Sequence, residues 1–162
     1  MNAQTFGDLS RRDVERHLLV AVDESDHSKR TVMYLADFFG GLADVYITLL
    51  TIIPEPSEDF FPTEAARAKR LREKRAEMEQ AMADYRAILR AVGFREDQVE
   101  SRIVIRPCVS IGAAILEEQE KLRCCIVVVG RRGISHSEEF VFGSTSNHIL
   151  HHASNFAVLV VE

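Results

Sequence analysis

Short apolar runs alternate with helical stripes along most of the chain. Residues 17–23 (HLLVAVD) are almost continuously apolar, which predicts a strand buried on both faces; a half-exposed strand would alternate apolar and polar positions. Glu24, Ser25, Asp26 and Ser28 then offer N-caps, and Val32, Leu35, Ala36 and Phe39 recur at helical spacing until Gly40 and Gly41 end the helix. Residues 44–53 (DVYITLLTII) predict a second buried strand, closed by Pro54 and Pro56. In the loop that follows, Phe60 and Phe61 are expected to pin the loop by packing at the sheet rim, with a ligand lid as the alternative. Residues 63–92 predict a long helix with Leu71, Met78, Met82, Tyr85, Leu89 and Val92 on one stripe, ended by Gly93. Its first half is almost wholly charged and too short for sustained heptads, so a helix covering a sheet is expected rather than a coiled coil.

The same alternation continues to the end. Residues 99–106 (VESRIVIR) predict a third strand broken by Pro107, and residues 109–122 a helix capped by Ser110. Residues 124–130 predict a fourth strand, a helix of about ten residues starts at Ser144, and residues 156–161 (FAVLVV) predict a fifth strand. Residues 1–15 show no period and are expected to form a flexible N-terminal arm, leaving 16–162 as one domain. Strand and helix in strict alternation imply an α/β fold: an open parallel five-stranded sheet with helices on both faces, joined by right-handed crossovers. In such sheets the ligand crevice lies beyond the carboxyl ends of the strands, where strand order reverses. If the first and fourth strands are neighbours, Asp23 and Gly130 face each other there.

Composition narrows the field without changing that picture. The 162 residues are 46% hydrophobic and 28% charged, enough for one substantial core, and carry a net charge of −5. No dense basic block is present, so a nucleic-acid partner is not expected. Cys108, Cys124 and Cys125 cannot all pair within one chain, which fits a reducing compartment. The first residues lack the apolar core of a signal peptide, and no segment approaches the run of about twenty apolar residues a membrane span needs. A cytoplasmic protein with no membrane partner is therefore expected.

The chemistry is concentrated between Ile126 and Thr145. An apolar run ends in Gly130, Gly133 follows, and Gly143 stands directly before Ser144 and Thr145, giving the spacing G-x2-G-x9-G-[ST]. Glycines let a backbone approach an anion closely, and the first N–H groups of a helix have no partner within it, so strand, glycine loop and helix start together point to phosphate binding. In its context of LLVAVDES, LLTIIPEP, IVVVGRRG, GSTS and AVLVV, this spacing resembles the universal stress protein family in its ATP-binding form, over nearly the whole chain from His17 onward. The resemblance implies a Rossmann-like sheet ordered 3-2-1-4-5, related to the adenine nucleotide alpha hydrolases, and a homodimer formed through the last strand. It implies ATP or another adenine nucleotide, with or without Mg²⁺, and a regulatory or signalling role in the stress response in which any ATPase activity is slow. Carried over by position, Ala21 and Asp23 lie at the adenosine end and Ile52 at the base. Val129, Gly130 and Gly133 line the ribose and phosphate loop with Arg132 as a charged donor, and Gly143, Ser144 and Thr145 meet the phosphates.

Other readings of these residues stay open. Asp23 could simply cap the next helix and the glycines simply shape a turn, leaving a dimeric interaction module without a nucleotide. The chain departs from the family pattern at Ser135, His136, Ser137, Glu138 and Glu139, where two carboxylates would repel phosphate unless they point away or act through Mg²⁺. It also departs around Arg106 and Pro107, where the family's glycine is missing, and at Ala157, where the family has proline. His148, His151 and His152 could share a helical face as metal ligands, but histidines in a last helical turn also suit the helix dipole, and no metal site is expected. Cys124 and Cys125 lack the spacing of redox or zinc pairs and are expected in the core. Asp23, Glu24 and Asp26 could accompany Mg²⁺ or only cap and solvate the turn. No hydrolase signature occurs, and of Asp23, His136 and Glu138 none stands at the spacing of a general base, so a slow ATPase or nucleotidyl-transfer enzyme is the weaker alternative and no catalytic residue is expected.

Overall fold

The structure, a computed structural model, describes residues 16–131 and 143–162. In chain order the elements are β1 (Arg16–Ala21), α1 (Asp26–Phe39), β2 (Val45–Pro54), α2 (Glu64–Ala91), β3 (Val99–Arg106), α3 (Ile111–Leu122), β4 (Ile126–Gly130), α4 (Ser144–His152) and β5 (Ala157–Val161), with short 3-10 turns at Glu58–Phe60 and Glu96–Gln98. The five strands form one parallel sheet in the order β3-β2-β1-β4-β5. β1 is therefore central, and β4 lies beside it with Leu18 opposite Ile126 and Val20 opposite Val128.

The continuous apolar character of β1 has a direct cause: Leu18, Leu19 and Val20 are all fully buried, alternately on opposite faces of the sheet. Leu18, Val20, Ile47 and Leu49 pack with Val32 and Leu35 of α1 and with Met82, Tyr85 and Leu89 of α2. Leu19, Leu50, Ile52, Val127 and Val129 pack on the other face with Ala114 and Ile115 of α3 and Ile149 of α4. Fully burying one such side chain contributes about 1.5–3 kcal/mol, so these two layers are the main stabilising term.

Helix α2 starts at Thr63, whose hydroxyl accepts from the Ala66 amide at 3.1 Å. Only its second half has a buried stripe, Met78, Met82, Tyr85 and Leu89; Leu71 is half-buried. Many charges of the first half are exposed and pair within the helix, as in Arg75–Glu79 at 2.8 Å and Lys69–Glu73 at 3.8 Å, whereas Arg67 and Lys74 are half-buried and also pair outside it. The preceding loop is fastened by a cation, and of its two phenylalanines Phe61 is half-buried. Arg67 donates to the Pro56 carbonyl at 3.0 Å and pairs with Glu55 at 2.9 Å, whereas Phe60 is 82% exposed, which corrects the expectation that it packs at the sheet rim. At the opposite end of the sheet, buried Gln98 donates from one amide nitrogen to the carbonyls of Leu42 at 3.0 Å and Val45 at 2.8 Å, tying β3 to the start of β2.

Candidate functional site

The sheet reverses direction at β1: the chain moves from β1 to β2 and β3 on one side, then returns to β4 on the other. A crevice of about 400 Å³ opens there, beyond the carboxyl ends of β1, β2 and β4. Ala21, Asp23, Ile52, Val129, Gly130, Gly143, Ser144 and Thr145 all line it, so β1, the turn after it, β2, β4 and the start of α4 converge on one cavity. Arg132 and Gly133, and the acidic stretch at 135–139, lie outside the described residues. The walls are largely apolar, with Ile52, Ile53 and Pro54 at the end of β2 and Ile111 and Ile115 on α3.

The turn after β1 is built around one carboxylate oxygen. Asp23 Oδ1 accepts from the Ser25 amide at 2.9 Å, from the Ser28 hydroxyl at 2.6 Å and from the Ser25 hydroxyl. Ser25 is the N-cap of α1 and accepts from the Ser28 amide at 3.2 Å, while the Asp23 amide donates to Ser28 Oγ at 2.9 Å. Asp23 therefore organises the cap without being the cap. From the other side, the Tyr85 hydroxyl donates to the Asp23 carbonyl at 2.6 Å. Burial, together with the nearby carboxylates of Asp23, Glu24, Asp26 and Asp84, pushes the Tyr85 phenol up to about 12, so it stays a proton donor at neutral pH.

The opposite wall is the start of α4. The helices α1, α2 and α3 begin at Ser25, Thr63 and Ser110, each with a hydroxyl accepting from the first turn, whereas α4 begins at Gly143, which has no side chain to do so. Gly143 itself is fixed: its amide donates to the Arg131 carbonyl at 2.8 Å, and Ser146 Oγ donates to the carbonyls of Arg131 at 3.1 Å and Gly143 at 3.0 Å. The Arg131 amide in turn donates to the Val161 carbonyl at 2.7 Å, which anchors the loop to β5. Among the described residues no side chain caps the first amides of α4, and the exposed Ser144 lines the crevice at the positive end of the helix dipole.

The sequence pattern missed the contribution of α2. Lys74 and Met78 line the crevice, and the Lys74 ammonium contacts the Glu24 carboxylate at its edge. Lys74 lies in the charged first half of the helix, where nothing in the local pattern separates it from its solvated neighbours. Ser28, Thr51 and Ser146 also reach the lining as small polar residues inside otherwise ordinary helix and strand patterns. A smaller adjoining hollow is bounded by Cys108, Val109 and Ser110 and shares Pro54, Ile111, Ser144 and Thr145 with the crevice.

The remaining candidates have structural roles. His148 and His152 stack at 4.2 Å, and His152 Nδ1 contacts the His148 carbonyl at 2.8 Å. Among the described residues no cluster of three or more His, Cys, Asp or Glu is placed to hold a metal ion. Cys124 is buried, which pushes its thiol up to about 12, with Cys125 beside it adding to the rise, while Cys125 is half-buried and its Sγ lies 3.2 Å from the His17 carbonyl. No helix among the described residues is long and apolar enough to cross a membrane.

Comparison with known proteins agrees with this architecture. The sequence model of the universal stress protein family matches residues 15–162. The universal stress protein UspA from Lactobacillus plantarum is similar in structure, with a TM-score of 0.76 at 17% identity over 93% of this chain and 100% of that one. A universal stress protein from Archaeoglobus fulgidus in complex with dAMP has a TM-score of 0.64 at 18% identity, over 92% of this chain and 99% of that one. A universal stress protein in complex with cAMP has a TM-score of 0.65 at 18% identity, over 93% of this chain and 98% of that one. No curated protein sequence matches the chain at a significant level.

Proposed function

The chain belongs to the universal stress protein family, and from that premise we propose that its crevice binds ATP or a related adenine nucleotide as a regulatory ligand. The observation that carries this reading is the pairing of two unlike walls around one cavity. An apolar slot at Ile52, Ile53 and Pro54 suits a flat base, and facing it the uncapped start of α4 at Gly143, Ser144 and Thr145 suits phosphate. Asp23 stands between them, one carboxylate oxygen held by the cap and the other available to ribose hydroxyls. Val129 and Gly130 at the end of β4 line the same cavity, and Arg132 and Gly133, outside the described residues, are assigned to the phosphates by their place in the glycine spacing alone. The dAMP and cAMP complexes of similarly folded proteins support the choice of an adenine ligand.

Mg²⁺ enters this reading only with the nucleotide, held by the phosphates, water and at most the carboxylates of the β1–α1 turn. Binding and not turnover is the output in this reading, because Asp23 Oδ1 already accepts from three donors and the other oxygen is assigned to the ribose. ATP hydrolysis faster than about 1 per second would contradict that assignment. The working unit is a cytoplasmic homodimer in a stress-response pathway. β5 is the terminal strand of the sheet, and its apolar AVLVV edge calls for a partner. The direct test is to denature purified protein and identify what the supernatant releases on ion exchange. An adenine nucleotide near stoichiometry is expected, and protein that neither releases nor takes up one would contradict the proposal.

A further inference from the structure

Among the described residues lining the crevice, three side chains are charged: Asp23, Glu24 and Lys74. Asp23 is held by its serines. Lys74, reaching in from α2, contacts Glu24 and lies 3.6 Å from Glu77, which is outside the lining. The ammonium thus has two carboxylate partners within the protein. Its side chain is 25% exposed and that of Glu24 34%, so salt screens this pair less than it screens the open surface of α2.

We propose that Glu24 and Lys74 form a charge-compensating pair that tunes the crevice to the number of charges its ligand carries, with Lys74 acting as a positioning residue through Glu24. The inference rests on the nucleotide reading above. With the pair intact, these residues give the lining a charge of −1, from Asp23 alone. Losing Lys74 exposes a second carboxylate to the ligand. Losing the Glu24 charge frees an ammonium. The two single substitutions therefore have opposite signs, and both effects grow with ligand charge because each adds a Coulomb interaction per phosphate charge.

The test is a calorimetric ladder of adenosine, AMP, ADP and ATP at low salt on the wild type, Lys74→Met, Lys74→Arg, Glu24→Gln and the double variant Glu24→Gln/Lys74→Met, with folding checked by circular dichroism. Lys74→Met should weaken ATP by about tenfold and adenosine by less than about twofold. Glu24→Gln should tighten ATP by a comparable factor, about tenfold, with adenosine unchanged, a gain that structural damage does not produce. Lys74→Arg should keep the wild-type ladder, and the double variant, whose lining is again −1, should return to it. A double variant as weak as Lys74→Met would show instead that Lys74 touches the ligand, and a flat Glu24→Gln ladder would show that the pair is inert; either overturns the inference. If the wild type binds none of the four ligands, the nucleotide reading fails and this inference with it, whereas a binding wild type with unchanged variants removes this inference alone.

Discussion

Replacing Tyr85 by Phe removes a single oxygen beneath the crevice while keeping the ring that packs between α2 and the sheet. That oxygen donates to the Asp23 carbonyl at 2.6 Å, from a side chain only 4% exposed, so the substitution leaves a shielded acceptor without its donor. The expected cost is about 1–3 kcal/mol. A second signature separates this bond from generic packing. Burial first, and then the Asp23, Glu24, Asp26 and Asp84 carboxylates, raise the phenol from 10.0 to about 12. The folded state thus holds the proton more tightly than the unfolded state. The stabilisation is complete below pH 10 and is lost as pH rises from 10 to about 12. At about 1.4 kcal/mol per unit, the loss over that window is on the order of 2 kcal/mol. Cys124, raised from 9.0 to about 12, also destabilises the fold in alkali, but it does so in both proteins and cancels in their difference. Urea unfolding followed by circular dichroism, at several pH values between 7 and 11.5, measures that difference. Wild type should exceed Tyr85→Phe near neutrality, and the gap should close with alkali. Equal stabilities at pH 7, or a gap independent of pH, would refute the proposed role of this hydroxyl.

Further outcomes follow from the same geometry. Ile111→Trp places an indole at the first residue of α3, a 38% exposed position lining the crevice, and should weaken nucleotide binding at least about tenfold with little change in stability, as read by calorimetry and thermal melting. Leu89→Ala empties a fully buried position between α2 and the sheet and should cost about 2–5 kcal/mol in urea unfolding while leaving the distant crevice able to bind. Sedimentation equilibrium should give twice the 18.3 kDa chain mass if the β5 edge pairs with a second copy, and a purely monomeric protein would remove the dimer.

Most of the architecture was legible because burial on both faces writes itself directly into strands such as 18–20, and because hydroxyl caps at Ser25 and Ser110 and glycines at Gly41 and Gly93 punctuate the helices. The two glycines have φ of +79° and +101°, a backbone that other residues adopt at a cost. The glycine spacing around Gly130 and Gly143 likewise pointed to the carboxyl end of β4, the end of the sheet at which the crevice opens. What stayed hidden depends on contacts between elements far apart in sequence. Gln98 bonding the carbonyls at the start of β2, Tyr85 reaching Asp23 and Lys74 meeting Glu24 are consequences of how α2 and β3 dock, and no local period encodes them. Phe60 failed for the complementary reason: apolar character suggests burial, but Arg67 holds that loop and the ring is left 82% exposed.

The most direct test of the central claim is a calorimetric titration of ATP into nucleotide-free protein, with Ile111→Trp alongside. The account predicts a saturable isotherm with a dissociation constant tighter than about 1 mM, roughly 4 kcal/mol, that is lost or strongly weakened in the variant. No binding heat in a folded wild type, or an isotherm unchanged when the crevice is filled, would contradict it.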